Sequence, residues 1–314
     1  MEKEIMLFMF PGQGSQKIGM GKDLYDAFQS ARDVFQEIND ALSFDLSNLI
    51  FSGSEEDLKL TENTQPALMA VSMAFVTVMK KDFSVDVLDR AHFFAGHSLG
   101  EYSALCAAGV ISLSDTARLL RARGLAMASA CKSGGAMAAI IGLDIDAVEK
   151  VLDATNDESS VLQIANDNSN EQVVISGHKT AVEKAIAKSI DDGAKKAVLL
   201  EVSGPFHCPL MKPAVESLEM AIDSVTFNAT AKPIISNVTA KAETDNFKKL
   251  LLQQLVSRVR WRESIQFSIE NSVSRAVEIG SGKVLTGLAK RISSALECSN
   301  VNSIGSMEDF CRKI

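Results

Sequence analysis

The sequence predicts an α/β fold. Three observations lead to it: short apolar runs of strand length alternate with longer helical patterns along the 314 residues, one such run empties into the turn Gly96-His97-Ser98-Leu99-Gly100 ahead of a helix, and residues 136–202 read β-α-β-β-α-β. The turn matches G-x-S-x-G, the nucleophile elbow of hydrolase-type sheets, in which a sharp strand-to-helix turn raises a serine hydroxyl out of the packed layer. The β-α-β-β-α-β order is that of a ferredoxin-like unit. The expected architecture is an α/β-hydrolase-like large domain, residues 1–131 and 205–314, interrupted by a ferredoxin-like small subdomain at 132–204.

Each element has its own reason. Ile5-Met6-Leu7-Phe8-Met9-Phe10 is apolar and of strand length, and it runs into Pro11-Gly12-Gln13-Gly14-Ser15-Gln16, a loop whose glycines let backbone approach a ligand closely. Helical patterns follow, among them 66–81, where Pro66 would occupy the first turn and its missing N–H would cost nothing. Residues 91–95 form the strand that leads to Ser98, and 99–110 a helix of small residues including Ala104, Ala107 and Ala108. A further helix covers 113–130. The texture changes at Gly134-Gly135: strand 136–141, helix 144–154, strands 161–165 and 172–176, helix 180–191, strand 197–202. Strands at 234–238 and 275–279, with helices between them, return the chain to the first domain.

Composition narrows the function classes. Hydrophobic residues make up 46% and charged residues 23%, the balance of a folded globular chain. The longest uncharged apolar run, 67–79, is shorter than the roughly 18 residues of a membrane span. The N-terminal apolar run is too short for a signal-peptide core, and Glu2 and Glu4 spoil its positive flank, so a cytoplasmic location without membrane association is expected. Cys106, Cys131, Cys208, Cys298 and Cys311 lack C-x-x-C spacing and are odd in number, which reads as reduced thiols with neither a metal site nor a disulfide framework. The net charge of −8 argues against wholesale nucleic-acid binding but leaves room for a local basic patch facing an acidic partner.

A serine is a poor nucleophile without a base in reach, so the four histidines matter. His97 adjoins the serine and points elsewhere on the elbow, His92 lies in the preceding strand, and His178 lies in the ferredoxin-like unit. His207 remains, in Gly204-Pro205-Phe206-His207-Cys208-Pro209, where a strand ends in a turn before a helix. A triad would add an acid between serine and histidine; Asp144, Asp153, Asp157 and Asp167 are available, none at an unmistakable strand end, and a dyad is as good a reading. In the helix at 113–130, Arg123 stands three residues from Leu120 and four from Leu119 and Met127, which puts a cation on the apolar stripe, while Arg118 and Arg121 project to other faces. Such a charge needs an anion, as an internal salt bridge or a substrate carboxylate held in its bidentate fork, unless the side chain snorkels to solvent. Nucleotide readings fail, because the third glycine of G-x-G-x-x-G falls at Lys17 and Gly280-Ser281-Gly282-Lys283 lacks the rest of a P-loop.

With these residues in view, the chain resembles the malonyl-CoA:acyl carrier protein transacylases almost end to end. The pieces that carry the resemblance are Phe10-Pro11-Gly12-Gln13-Gly14-Ser15-Gln16, Gly96-His97-Ser98-Leu99-Gly100-Glu101-Tyr102, Arg123-Gly124, Phe206-His207 and Glu278-Ile279-Gly280-Ser281-Gly282-Lys283-Val284-Leu285. The resemblance implies Ser98 as nucleophile, His207 as base, Arg123 as clamp on the malonyl carboxylate, and an oxyanion hole from the backbone N–H groups of Gln13 and Leu99. It implies that Gln254 orients the histidine through its main-chain carbonyl, in place of a hydrolase acid, and that Ser281 stands where many relatives carry proline. Malonyl-CoA and phosphopantetheinylated acyl carrier protein would be the substrates, with no further cofactor, no metal, and a monomeric enzyme. Acylation is expected to fall as pH drops through the histidine range near ~6.5, if the base is unperturbed. Carrier proteins are acidic, so Lys195, Lys196, Lys283, Lys290 and Arg291 are candidates for docking. A serine thioesterase shares the elbow but releases its acyl group to water, and a catalytically silent docking protein would have kept only the fold.

Overall fold

The computed structural model describes residues 4–131, 134–157 and 159–314. Its strands are β1 Met6–Phe10, β2 Phe93–Gly96, β3 Gly135–Ile141, β4 Leu162–Ser169, β5 Gln172–His178, β6 Lys196–Leu199, β7 Ile234–Ile235, β8 Ala242–Glu243, β9 Arg275–Ile279 and β10 Glu297–Val301. They form two sheets. One is ordered β10-β9-β1-β2-β7-β8, parallel up to β7, with β8 antiparallel at its edge.

β1 lies inside that sheet and is buried throughout. Its alternation divides the core: Met6, Phe8 and Phe10 face the helices Thr61–Asp82 and Leu113–Ala130, while Leu7 and Met9 face Trp261, Ile265 and Leu285 on the other side. The helix expected over 66–81 starts at Thr61, so Pro66 lies within it rather than in its first turn. Proline cannot bond the carbonyl four residues back, and the Glu62 carbonyl accepts instead from Arg121 Nη1 at 3.1 Å.

The second sheet is ordered β4-β5-β3-β6, with every neighbouring pair antiparallel. The helices Ile145–Thr155 and Lys179–Asp191 cover one face, where Ile140, Val151, Ile175 and Val182 form a separate core. β4 runs on past the expected end at 165, through Asn166, Asp167 and Asn168. Those polar residues are satisfied from outside their own sheet: Asn166 bridges to Val259, and the Asp167 carboxylate meets Arg262 at 2.9 Å. The strand expected at 234–238 stops at Ile235, because the Asn237 backbone N–H turns to the Glu101 side chain. Among the described residues no helix is long and apolar enough to cross a membrane, no cluster could hold a metal ion, and the five cysteines are free thiols.

Candidate active site

β2 ends in the elbow and the helix Leu99–Ala107 begins immediately after Ser98. Ser98 has φ 53° and ψ −109°, a conformation L-residues avoid and one characteristic of strained functional turns. The flanking glycines make the turn possible: a Cβ on Gly96 would sit 1.9 Å from the Gly100 carbonyl, and one on Gly100 would sit 2.2 Å from the Phe10 oxygen. Asn237 laces the elbow shut, accepting from Ser98 N–H at 2.8 Å and donating to the Gly96 carbonyl at 2.7 Å.

Ser98 Oγ lies 2.8 Å from His207 Nε2, and His207 Nδ1 lies 2.8 Å from the main-chain carbonyl of Gln254. A carbonyl can only accept, so Nδ1 carries the proton and Nε2 presents a lone pair to the serine hydroxyl. His207 is itself at φ 58°, and its carbonyl accepts from Gln163 Nε2 at 2.6 Å. Burial, reinforced by the Arg123 charge, pushes His207 down to about 3. The expected fall near ~6.5 applies to an unperturbed base; burial moves the loss of the neutral imidazole to lower pH.

The other histidines serve elsewhere. His92 Nδ1 accepts from Met6 N–H, His178 Nδ1 accepts from Val161 N–H, and His97 Nε2 meets Asn168 Oδ1 at 2.8 Å. Of the candidate acids, Asp144 caps the helix Ile145–Thr155, Asp167 pairs with Arg262, and Asp153 and Asp157 are exposed. Serine and histidine stand as a dyad completed by a carbonyl.

Arg123 is 1% exposed. Its Nη2 donates to Ser98 Oγ at 3.1 Å and to Gln254 Oε1 at 2.9 Å, its Nη1 donates to Gln65 Oε1 at 2.8 Å, and the guanidinium lies 5.5 Å from the Tyr102 ring centroid. All those hydrogen-bond partners are neutral, and no carboxylate salt-bridges to it among the described residues; the Glu101 carboxyl acts on it through space without direct contact. By contrast, Arg118 pairs with Asp115.

Ser98, Arg123 and His207 open onto a cavity of about 310 Å³, whose wall includes Met127, Met137 and Phe206, with exposed Lys59 and Glu201 also lining it. Gln13 and Leu99 border the same space. Leu99 is the first residue of its helix, so its N–H has no intrahelical partner. Gln13 is steadied by Thr61 Oγ1, which donates to its Oε1 at 3.1 Å. Four further residues belong to the site although sequence reasoning passes over their roles: Gln65, Glu101, Gln163 and Asn237. Glu101 is the least expected, a buried carboxyl that burial pushes up to about 7. An acid in a helix of otherwise small and apolar residues is the one sequence signal for it.

A family model for the acyl transferase domain matches residues 7–310. The chain belongs to the acyl transferase family. The malonyl CoA-acyl carrier protein transacylase of Bacillus subtilis is 45% identical over 304 residues, covering 96% of this chain and 94% of that protein. The transacylase of the same name from Escherichia coli strain K12 is 43% identical over 303 residues, covering 96% of each. Among solved structures, an acyl-carrier-protein-S-malonyltransferase from Bartonella henselae matches with a TM-score of 0.95 at 50% identity over 98% of both chains. A malonyl-transacylase in complex with its type II PKS acyl-carrier protein matches with a TM-score of 0.94 at 39% identity, covering 99% of this chain and 100% of that one. In this acyltransferase the elbow, Arg123, His207 and the Gln13 loop, far apart in sequence, line one cavity.

Proposed function

We propose that the chain moves a malonyl group from coenzyme A to the phosphopantetheine thiol of acyl carrier protein, through a malonyl-serine ester, for fatty-acid biosynthesis. The observation that carries this reading is Arg123: a buried cation with only neutral hydrogen-bond partners, 3.1 Å from the hydroxyl paired with His207. A buried charge in that condition calls for an anion. The malonyl carboxylate lies two carbons from the ester carbonyl, close enough for an acyl chain on Ser98 to fold back onto the guanidinium.

His207 Nε2 takes the proton from Ser98 Oγ as the oxygen attacks the thioester carbonyl. The N–H groups of Gln13 and Leu99 hold the oxyanion. The carbon–sulfur bond breaks, and coenzyme A leaves with the proton returned by His207. In the second half the carrier thiol gives its proton to His207, its sulfur attacks the ester, and Ser98 leaves reprotonated. Both halves need only residues of this chain and no further cofactor. Phe206 in the cavity wall opposes an α-branch on the acyl group, which favours malonyl.

The same reading extends to the whole molecule. The order β6-β3-β5-β4 supports a ferredoxin-like subdomain at 132–204 inserted into an α/β-hydrolase-like domain at 1–131 and 205–314, although residues 1–3, 132, 133 and 158 lie outside the described chain. We read the enzyme as a cytoplasmic monomer. An acidic carrier protein would dock on Lys195, Lys196, Lys283, Lys290 and Arg291; of these, Lys195 is already paired with Glu171 at 2.9 Å, and Arg291 with Gln172 at 3.0 Å. Charge reversal at the five should raise the Michaelis constant for the carrier, and an unchanged constant would move docking elsewhere.

The deciding experiment is intact-protein mass after brief exposure to malonyl-CoA, before and after adding phosphopantetheinylated carrier protein. A malonyl adduct that disappears as malonyl-carrier appears is the expected result. An adduct lost equally fast to water would make the chain a thioesterase, and no adduct would overturn the malonyl assignment.

A further inference from the structure

Gln254 touches the histidine, the arginine and the serine elbow at once. Its main-chain carbonyl holds His207, and its side-chain Oε1 accepts from Arg123 Nη2 at 2.9 Å. Its Nε2 faces three oxygens: Glu101 Oε2 at 2.7 Å, the Ser98 carbonyl at 3.1 Å and Asn237 Oδ1 at 3.3 Å. An amide can turn over at little intrinsic cost, and the reversed form here would set an NH₂ against the guanidinium and an oxygen against three acceptors. Of those three acceptors the carboxylate of Glu101 is both the closest and the only one able to carry charge.

We propose that Glu101 is a positioning residue for substrate selection: by fixing the orientation of the Gln254 amide it presents an oxygen to Arg123 and so sets the guanidinium that receives the acyl carboxylate. The inference rests on the reading of Arg123 as carboxylate clamp. A purely structural role explains Glu101 poorly. It is 1% exposed and has no salt bridge among the described residues, a costly placement that an apolar residue would avoid. Its hydrogen bonds go to Gln254, to Asn237, the residue that laces the elbow, and to Ser236.

The carboxyl can also report on itself. Burial pushes it up to about 7, against the pull of Gln254, Asn237, Ser236 and Arg123. Of the titratable groups around it, His207 is pushed down to about 3, the Tyr102 phenol is driven above its ordinary value, and Arg123 is lowered by burial from a value so high that a guanidinium stays charged. None of the three changes charge between pH 5 and 8.5. Glu101 is ionised above about 7, the state that grips Gln254, so selectivity should weaken as pH falls through that value.

The test measures malonyl-CoA against acetyl-CoA in acyl-enzyme formation, as separate kcat and KM values and in direct competition. Glu101→Leu should lower the malonyl-over-acetyl ratio about 10- to 100-fold, chiefly through the malonyl KM. Gln254→Leu, which keeps the main-chain carbonyl, should lower it similarly, and the double variant should be no worse than either single, because both remove one link. Glu101→Gln retains an oxygen for Gln254 but no titrating proton, so it should recover part of the ratio and abolish its dependence on pH near 7. An unchanged ratio in Glu101→Leu, additive losses in the double variant, or a pH inflection surviving in Glu101→Gln would each overturn the proposal. Should Glu101→Leu fail to fold, the glutamine variant's pH profile still decides. A wild-type chain with no malonyl preference would instead count against the function proposed above.

Discussion

The two sheets divide the labour of the site unequally. In the parallel sheet, β1 and β2 deliver the Gln13 loop and Ser98 from their carboxyl ends, the edge at which open α/β sheets place their ligands. Its apolar residues are spent on two faces of core, so chemistry is confined to that rim. The antiparallel sheet keeps an independent core on one face and turns the polar strand β4 toward its neighbour. From there Gln163 holds the His207 carbonyl and Asn168 holds His97. The parallel sheet supplies the nucleophile; the antiparallel sheet helps hold His207 and His97 in place.

That contrast breaks first at the dyad. Ser98→Ala should give no malonyl adduct by intact mass, and His207→Ala should slow adduct formation by about 10²- to 10⁴-fold. Adduct formation by the alanine variant of Ser98 would place the nucleophile elsewhere. Arg123→Ala comes next: loss of a charge-assisted contact in a buried site should cut the malonyl-over-acetyl preference roughly 100-fold while acetyl transfer survives. Full malonyl preference in that variant would remove the clamp from the parallel half of the comparison.

The parallel half is also the more legible in sequence. The strand at 5–10, the elbow and the helix Leu113–Ala130 are encoded by local periodicity and by small residues, and the burial of Arg123 follows from its spacing to Leu119, Leu120 and Met127. His207 is found by scarcity. What sequence hides is whatever depends on remote partners: Asn237 meets Ser98 across 139 positions, and Gln163 meets His207 across 44. β4 looks finished at residue 165 because Asn166, Asp167 and Asn168 read as a loop until their partners are seen. The burial of Glu101 and the depressed His207 value come from packing by remote residues, which no local pattern encodes.

Gln163→Ala tests whether the antiparallel sheet contributes position alone. Without that amide the His207 carbonyl is released and the imidazole drifts, so kcat should fall about 10-fold for malonyl and acetyl donors alike, leaving their ratio intact. A change in the ratio would show that this sheet also selects substrate. A companion measurement uses acetyl-CoA acylation between pH 8 and 5, where His207 stays neutral and contributes no fall in rate. An inflection near 6.5 that persists in Glu101→Gln would return the ordinary histidine value to the base.

The smallest effect expected is at the ion pair between Asp167 on β4 and Arg262 on the helix Trp261–Glu270. Its partners pull in opposite directions: Arg262 is held above its usual value by the carboxylate, whereas burial raises the Asp167 carboxyl despite the guanidinium. Desolvation therefore consumes most of the attraction, as is common for buried pairs. A carboxyl raised in the folded state makes its contribution to stability at low pH and loses it as pH rises through the folded value, so at pH 8 the charged pair adds little. Asp167→Asn keeps an oxygen for Arg262, and its melting temperature at pH 8 should lie within about 3 °C of wild type by calorimetry. A drop of about ten degrees would mean that this pair, rather than the amide contacts of β4, holds the two sheets in register.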